Sequence, residues 1–245
     1  MVVAFLLLRA DLRRRGISGD VESLVALPCL AGIAGAKLYH VFESPRELFA
    51  DPFGQIFSQF GFAWFGGLIA GTGVFLLMAW KLARSNTSGG RPTSLLEILD
   101  AGSPAVALGY GIGRIGCLVS GDGDYGIPTS LPWGMSFPDG LVPTTQRVHP
   151  TPIYELIVAC VIAWWLWRLG GRALGSAGKS GIVFAEYLVW TGIARFLVEF
   201  IRINPRSFLG LTNAQAASLA SVAAGGALWW LVSRRAGISS TAADH

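Results

Sequence analysis

The chain is short of charge. Only 14% of its 245 residues are Asp, Glu, Lys or Arg, against roughly 25% in ordinary soluble proteins. With 52% hydrophobic residues and a mean hydropathy of +0.52, that shortfall excludes a water-soluble globular chain. Cysteine is sparse as well. Cys29, Cys117 and Cys160 each lie in an apolar run with no repeated spacing, which excludes a disulfide scaffold. No internal repeat is apparent. Glycine runs the other way, with 32 residues, nearly twice the usual ~7%, an excess that suits helices packed backbone to backbone in lipid.

The apolar residues gather into six stretches, roughly 21–42, 57–80, 95–119, 150–168, 181–201 and 212–233. Each is close to the ~20 residues that span a bilayer. Before them, Met1–Leu8 is apolar but too short to span, and it ends in Arg9, Arg13, Arg14 and Arg15. A signal peptide has its basic residues before the apolar run, so this segment is read as a truncated first helix. The expected fold is an all-α polytopic membrane protein: six full transmembrane helices plus that truncated helix, residues 1–245 forming a single integral membrane domain.

The basic residues set the orientation. One set of alternate loops holds Arg9, Arg13, Arg14, Arg15, Lys81, Arg84, Arg91, Arg168, Arg172, Lys179, Arg234 and Arg235; the other holds only Arg46, Arg147, Arg202 and Arg206. The positive-inside rule places the first set in the cytoplasm. Lys37, Arg114 and Arg195 fall within or at the edge of spans. The pI of 9.2 is therefore a topology signal, and nucleic acid is excluded as a partner. Segment 85–94, with Gly89, Gly90 and Pro92, reads as a flexible cytoplasmic loop. Segment 120–148, rich in glycine and proline, reads as an extracytoplasmic loop at the mouth of a site.

Ionisable residues within spans are costly and mark candidate sites. Arg195, Glu199 and Arg202 are spaced i, i+4, i+7, which places them on one helix face. Two guanidiniums around one carboxylate leave positive charge for a phosphate or other anion; the competing reading is a self-satisfied ion-pair ladder. Arg114 lies in Gly111-Ile-Gly113-Arg114-Ile-Gly116. No strand precedes this formal GxGxxG and no acidic residue follows at the required distance, so it is no dinucleotide site. Its glycines read as small-xxx-small steps (Gly109/Gly113, like Gly67/Gly71). Arg114 then points into a protein cavity or snorkels to headgroups. Asp122 and Asp124 lack the remaining ligands of a calcium loop, and no metal is expected. His149, just ahead of Pro150 and Pro152 and close to Tyr154 and Glu155, sits at a helix entrance, where its role is structural or part of the site.

Gly113-Arg114-Ile115-Gly116, Gly126, Leu131-Pro132-Trp133-Gly134, Phe137-Pro138, His149-Pro150 through Tyr154-Glu155, and Arg195 through Arg202 resemble the prolipoprotein diacylglyceryl transferase family in order and spacing. Gly35-Ala36-Lys37-Leu38-Tyr39 and Phe65-Gly66-Gly67-Leu68-Ile69 are similar to it too. The resemblance implies a seven-span enzyme of the bacterial cytoplasmic membrane with its site toward the outer face. Such an enzyme moves diacylglycerol from phosphatidylglycerol to the lipobox cysteine of a prolipoprotein signal peptide, and releases glycerol 1-phosphate. It implies no cofactor. The implied partners are phosphatidylglycerol, prolipoproteins and membrane lipids.

The resemblance carries over residue by residue. Arg114 and Arg195 match the arginines that hold the headgroup, Glu199 and Arg202 their neighbours, and Gly126 the loop glycine; Tyr154 and Glu155 join the expected substrate site. The chain departs from the family at Phe65, where the family has a histidine regarded as the base for the thiol. It departs again at Cys117 and Ser120, where the family has asparagines, and at Asp122. Three sources of thiol ionisation stay open: His149, the arginine field alone, and Asp122 or Asp124. His149 is preferred, because helix-entry prolines fix it while the glycine-rich loop leaves the aspartates mobile. Beside the transferase stand two other readings, an inactive headgroup-binding paralogue and a small-anion transporter.

Overall fold

The computed structural model describes residues 2–43, 45, 48, 51–57, 63–88, 91–174, 179–204 and 210–241. Gly89, Gly90, Arg46, Arg206 and part of the stretch expected to span 57–80 lie outside the described residues. In chain order come α1 (Val2–Arg14), α2 (Val21–Glu43), short α3 (Pro52–Phe57) and α4 (Trp64–Ser85). A two-residue ribbon of β1 (Thr87–Ser88) and β2 (Arg91–Pro92) leads to α5 (Leu95–Ser120). Then come β3 (Met135–Phe137), β4 (Thr144–Val148), α6 (Thr151–Ala173), α7 (Ile182–Val198) and α8 (Asn213–Thr241).

Among the described residues, five helices are long and apolar enough to cross a membrane: α2, α4, α5, α6 and α8. Their outer faces carry large exposed apolar side chains such as Leu30, Ile33, Ile69, Val161 and Trp229, the inverse of a soluble surface. The chain is a mostly helical, multi-pass membrane protein. The stretch expected to span 181–201 is helical only over the 17 residues of α7, because the chain turns at Phe200 and Ile201, whose amides bond back to Leu197 and Val198.

The chain divides into two compact units, Gly16–Leu95 and Met1–Arg15 with Leu96–His245. In the first, Asp20 caps α2. Its carboxylate accepts from the Ser23 amide at 2.9 Å and the Ser23 hydroxyl at 2.5 Å, the N-cap arrangement, and these bonds hold its carboxyl below the usual range. Helices α2 and α4 pack through small residues. A methyl group on Gly35 would meet the Gly66 carbonyl oxygen at 2.6 Å, and one on Gly71 the Pro28 carbonyl oxygen at 3.2 Å. The Gly67/Gly71 step expected from the sequence is thus a contact between helix backbones.

In the second unit α1 buries Ala4, Leu8 and Leu12. Fully buried Asp11 is paired with Arg14 and Arg15, and the Arg14 guanidinium stacks 3.9 Å from the Trp167 ring. Ala107, Ile162, Ala163, Leu166 and Val183 form the core between α5, α6 and α7. Asp100 caps α7, accepting from the amides of Gly181 and Phe184 at 2.8 Å each. Thr212 and Gln215 cap α8 reciprocally, each side chain accepting from the other's amide at 3.1 Å, a capping box. Helix α8 lies on α7 through Gly192 and Gly225, where added methyls would meet the carbonyls of Ser218 and Ala185.

One expectation is corrected. The Gly109/Gly113 step is not a tight backbone approach: a methyl on Gly109 would make only ordinary contact with Ala4 of α1, at 3.6 Å, and one on Gly113 meets nothing within 4 Å. The tight approach of α5 to α6 is at Gly111, where an added methyl would lie 2.9 Å from the Ala159 methyl. Segment 120–148, non-helical as expected, carries a short β-ribbon. Strands β3 and β4 pair antiparallel, with Met135 opposite Val148 and Phe137 opposite Thr144. Tyr125 stacks on Phe137 with centroids 5.4 Å apart and donates to the Val142 carbonyl at 2.9 Å.

Candidate functional site

Four segments of the second unit bring charge together at the end of α5. Arg114 comes from the last two turns of α5, Asp124 from the loop that follows, Glu155 from the first turns of α6, and Arg195 with Glu199 from the end of α7. Arg202 follows the turn after α7. The i, i+4, i+7 face predicted for Arg195, Glu199 and Arg202 therefore holds only for the first two. The helix has ended before Arg202, whose backbone pairs antiparallel with Gly126. Gly126 must be glycine for this. A methyl there would lie 2.5 Å from the Ile201 carbonyl oxygen and 3.0 Å from the side chains of His149 and Thr151. Its contribution is a close backbone approach that delivers Arg202 to the cluster.

Glu155 is the hub. Its carboxylate is 3.4 Å from Arg114 Nε, 3.4 Å from Arg202 Nη1 and 3.7 Å from Arg195 Nη1. It also accepts the Tyr110 hydroxyl proton at 2.5 Å. That hydroxyl in turn accepts from Arg114 Nη2 at 2.9 Å. Glu199 pairs with Arg195 at 2.9 Å and accepts from Asn204 Nδ2 at 2.6 Å. Asp124 bridges Arg114 Nη1 and Arg202 Nη2, one oxygen on each, and Thr151 Oγ1 donates to its backbone carbonyl.

The positive excess read from the sequence is not what the fold assembles. Three guanidiniums (Arg114, Arg195, Arg202) meet three carboxylates (Asp124, Glu155, Glu199), so 3 − 3 leaves the cluster formally neutral. Sequence reasoning missed this because Asp124 and Glu155 reach Arg202 across gaps of 78 and 47 residues. Burial would raise the Asp124 carboxyl, but the hydrogen bond and charge of Arg202, with Arg114 beside it, hold it below the usual carboxylate range. Arg195 Nη1 and Arg202 Nε are buried and face Glu199 Oε2 at 2.9 and 3.9 Å, ion-paired with it but outside hydrogen-bond geometry among the described residues.

The other predicted residues lie in a neighbouring group. His149 Nδ1 is 3.2 Å from the Tyr154 hydroxyl, which accepts from Trp133 Nε1 at 2.8 Å. Tyr154 and Glu155 are adjacent on α6, and successive helical residues point in different directions, so Glu155 enters the cluster and Tyr154 turns to His149. The expectation that the glycine-rich loop leaves the aspartates mobile is corrected for Asp124, which two guanidiniums and Thr151 hold. Cys117 Sγ and the carboxylates of Asp122 and Asp124 come within 4.8 Å of one another. Both Asp124 oxygens there are already committed to cations. Tyr110, unnoticed in the sequence, stands one turn before Arg114 on α5, a spacing that could have flagged it.

The comparisons agree with the motifs. The family model described as prolipoprotein diacylglyceryl transferase matches residues 1–231. The chain is 31% identical over 230 residues to the phosphatidylglycerol–prolipoprotein diacylglyceryl transferase of Clostridium tetani, covering 92% of this chain and 86% of the relative. It is 34% identical over 256 residues to that of Bordetella bronchiseptica, covering 95% and 88%. It is 29% identical over 255 residues to that of Leptospira interrogans, covering 88% and 76%. A match across nearly the whole chain means that the chain belongs to the prolipoprotein diacylglyceryl transferase family.

Proposed function

We infer that this chain transfers diacylglycerol from phosphatidylglycerol to the lipobox cysteine thiol of prolipoproteins, forming a thioether and releasing glycerol 1-phosphate. The observation that supports this reading is the convergence of Arg114, Arg195 and Arg202 from separate segments around Glu155. The thiolate sulfur attacks the glycerol carbon, the C–O bond breaks, and its electron pair leaves on the phosphate oxygen. Fixed cations around that oxygen stabilise the charge that develops in a site shielded from water. Arg114 and Arg195 hold the phosphate, Arg202 supports it, and Glu155 and Glu199 orient the guanidiniums. Gly126 shapes the wall, Tyr154 lines the approach, and His149 takes the thiol proton.

In this reading α7 is a sixth span and α1 a short first one. Loop 120–148 forms the site mouth on the outer face of the bacterial cytoplasmic membrane. The test is complementation of a cell depleted of its own diacylglyceryl transferase. The wild-type chain and Arg172→Ala should restore lipoprotein modification, while Arg114→Ala and Arg195→Ala should not. Full rescue by both alanine variants would remove the arginines from the mechanism. The neutral cluster and Phe65 favour a second reading, a headgroup binder without chemistry. It predicts phosphatidylglycerol binding with no thioether formed by the wild-type chain.

A further inference from the structure

Asp124 is placed as a phosphate would be. One carboxylate oxygen meets Arg114 and the other Arg202, the bridging pattern that two non-ester phosphate oxygens make with a pair of guanidiniums. We propose that Asp124 is a resident stand-in for the lipid phosphate: it holds the anion seat between Arg114 and Arg202 until the phosphate group of an incoming lipid displaces it. The proposal rests on the headgroup reading above and adds a competitor to it.

Three features single out Asp124 as the carboxylate that leaves. Its side chain is 28% exposed, against 5% for Glu155 and 0% for Glu199, so rotation of its side chain returns the charge to water while the other two would be stranded. Its main chain is anchored independently, by Thr151 on its carbonyl and by Asp122 Oδ1 on its amide at 3.2 Å. Displacement is thus a side-chain movement that leaves the loop in place. Lastly, its two oxygens fill only part of the donor set. Arg195 Nη1 and Arg202 Nε face Glu199 Oε2 at 2.9 and 3.9 Å without hydrogen-bond geometry, and the further oxygens of a tetrahedral phosphate are the kind of group that can offer them better-aligned acceptors.

The exchange has a physical purpose. Three desolvated guanidiniums facing only two carboxylates would carry an uncompensated buried charge, which is strongly destabilising. Asp124 keeps the site neutral, and a phosphate monoanion that replaces it preserves the same balance. The cost is affinity, because only the fraction of molecules with Asp124 swung away can bind.

The test is a titration of the purified full chain in neutral detergent, once with inorganic phosphate and once with phosphatidylglycerol micelles, on wild type, Asp124→Asn, Asp124→Ser and Asp124→Glu. If the competent fraction is about a tenth, the Asn and Ser variants should bind both ligands about tenfold more tightly. Asp124→Glu, which keeps a charge that can reach the arginines, should gain nothing. Should Asn and Ser fail to fold, the Glu variant still decides, since tighter binding there would contradict a competing carboxylate. Unchanged or weaker binding in folded Asn and Ser variants overturns the proposal. Tightening with inorganic phosphate alone overturns its lipid part. Arg114→Ala separates the two layers: if it leaves phosphatidylglycerol binding intact, the headgroup reading fails. If it abolishes binding while Asp124→Asn changes nothing, only the stand-in fails.

Discussion

Tyr110 uses one hydroxyl twice, donating to Glu155 and accepting from Arg114, so the direction of its proton is set by the charges on either side. His149 has no such constraint from the cluster. Its Nδ1 faces Tyr154, and if it serves as the base, His149→Gln should lower the transfer rate by about 10²–10⁴, the usual worth of a general base. A near-normal rate with an unchanged pH profile would pass the role to the arginine field or to Asp122 and Asp124. Asp124 itself makes a pH prediction. Its folded-state carboxyl is held below the usual range despite burial, chiefly by Arg202 and then Arg114. A lowered folded pKa contributes stability that is complete above the unfolded value of ~3.9 and is lost as pH falls through the folded value. The gap in melting temperature between wild type and Asp124→Asn should therefore be constant near neutrality and close in acid, below about pH 4. A gap that widens in acid would mean that the carboxylate is not held by those arginines.

Helix packing turns on single glycines. In the Gly16–Leu95 unit, Gly35 faces the Gly66 carbonyl so closely that an added methyl would sit 2.6 Å from its oxygen. That methyl would also run into the Ala70 methyl, and neither neighbour can yield without parting α2 from α4. Gly35→Ala should lower stability by about 1–3 kcal/mol, the usual cost of overpacking, and Gly111→Ala should do the same between α5 and α6. Gly113→Ala meets open space and gains helix propensity worth up to ~1 kcal/mol, so it should be neutral or mildly stabilising. Thermal unfolding of the three variants in one detergent checks the ranking. Equal losses at Gly35 and Gly113 would mean that glycine acts through propensity alone and not through contact. At this scale the sequence was half legible. The excess of glycine announced close helix approach, and Gly67/Gly71 was found in its place. Which glycine on α5 mattered depended on rotation about the helix axis, a quantity that spacing within one helix does not contain.

Over the whole molecule the distribution of Lys and Arg predicts which loops face the cytoplasm. Reporter fusions at Ser88 and Ser176 should report cytoplasm, and fusions at Asp51 and Asp139 the exterior; Ser176 lies outside the described residues. An exterior signal at Ser88 would overturn the arrangement and with it the outer-face site. The charged cluster sits where the fold brings the last turns of α5, the first turns of α6 and the end of α7 to one level. Arg14 and Arg15, near the opposite end of the same unit, are tied up with Asp11 and Trp167.

Hydropathy, charge placement and motif order were sufficient for the multi-pass helical class and the family, because each is a property of residues taken along the chain. The neutrality of the cluster was decided only by tertiary structure. Arg202 leaves the helix, Gly126 lets it come close, and Asp124 and Glu155 arrive from 78 and 47 residues away. Charge balance depends on distance in space, and at such separations along the chain that distance is set by the packing of α5, α6 and α7 and by no local rule. The same packing turned a predicted excess of positive charge into a cluster whose most exposed carboxylate, Asp124, bridges Arg114 and Arg202.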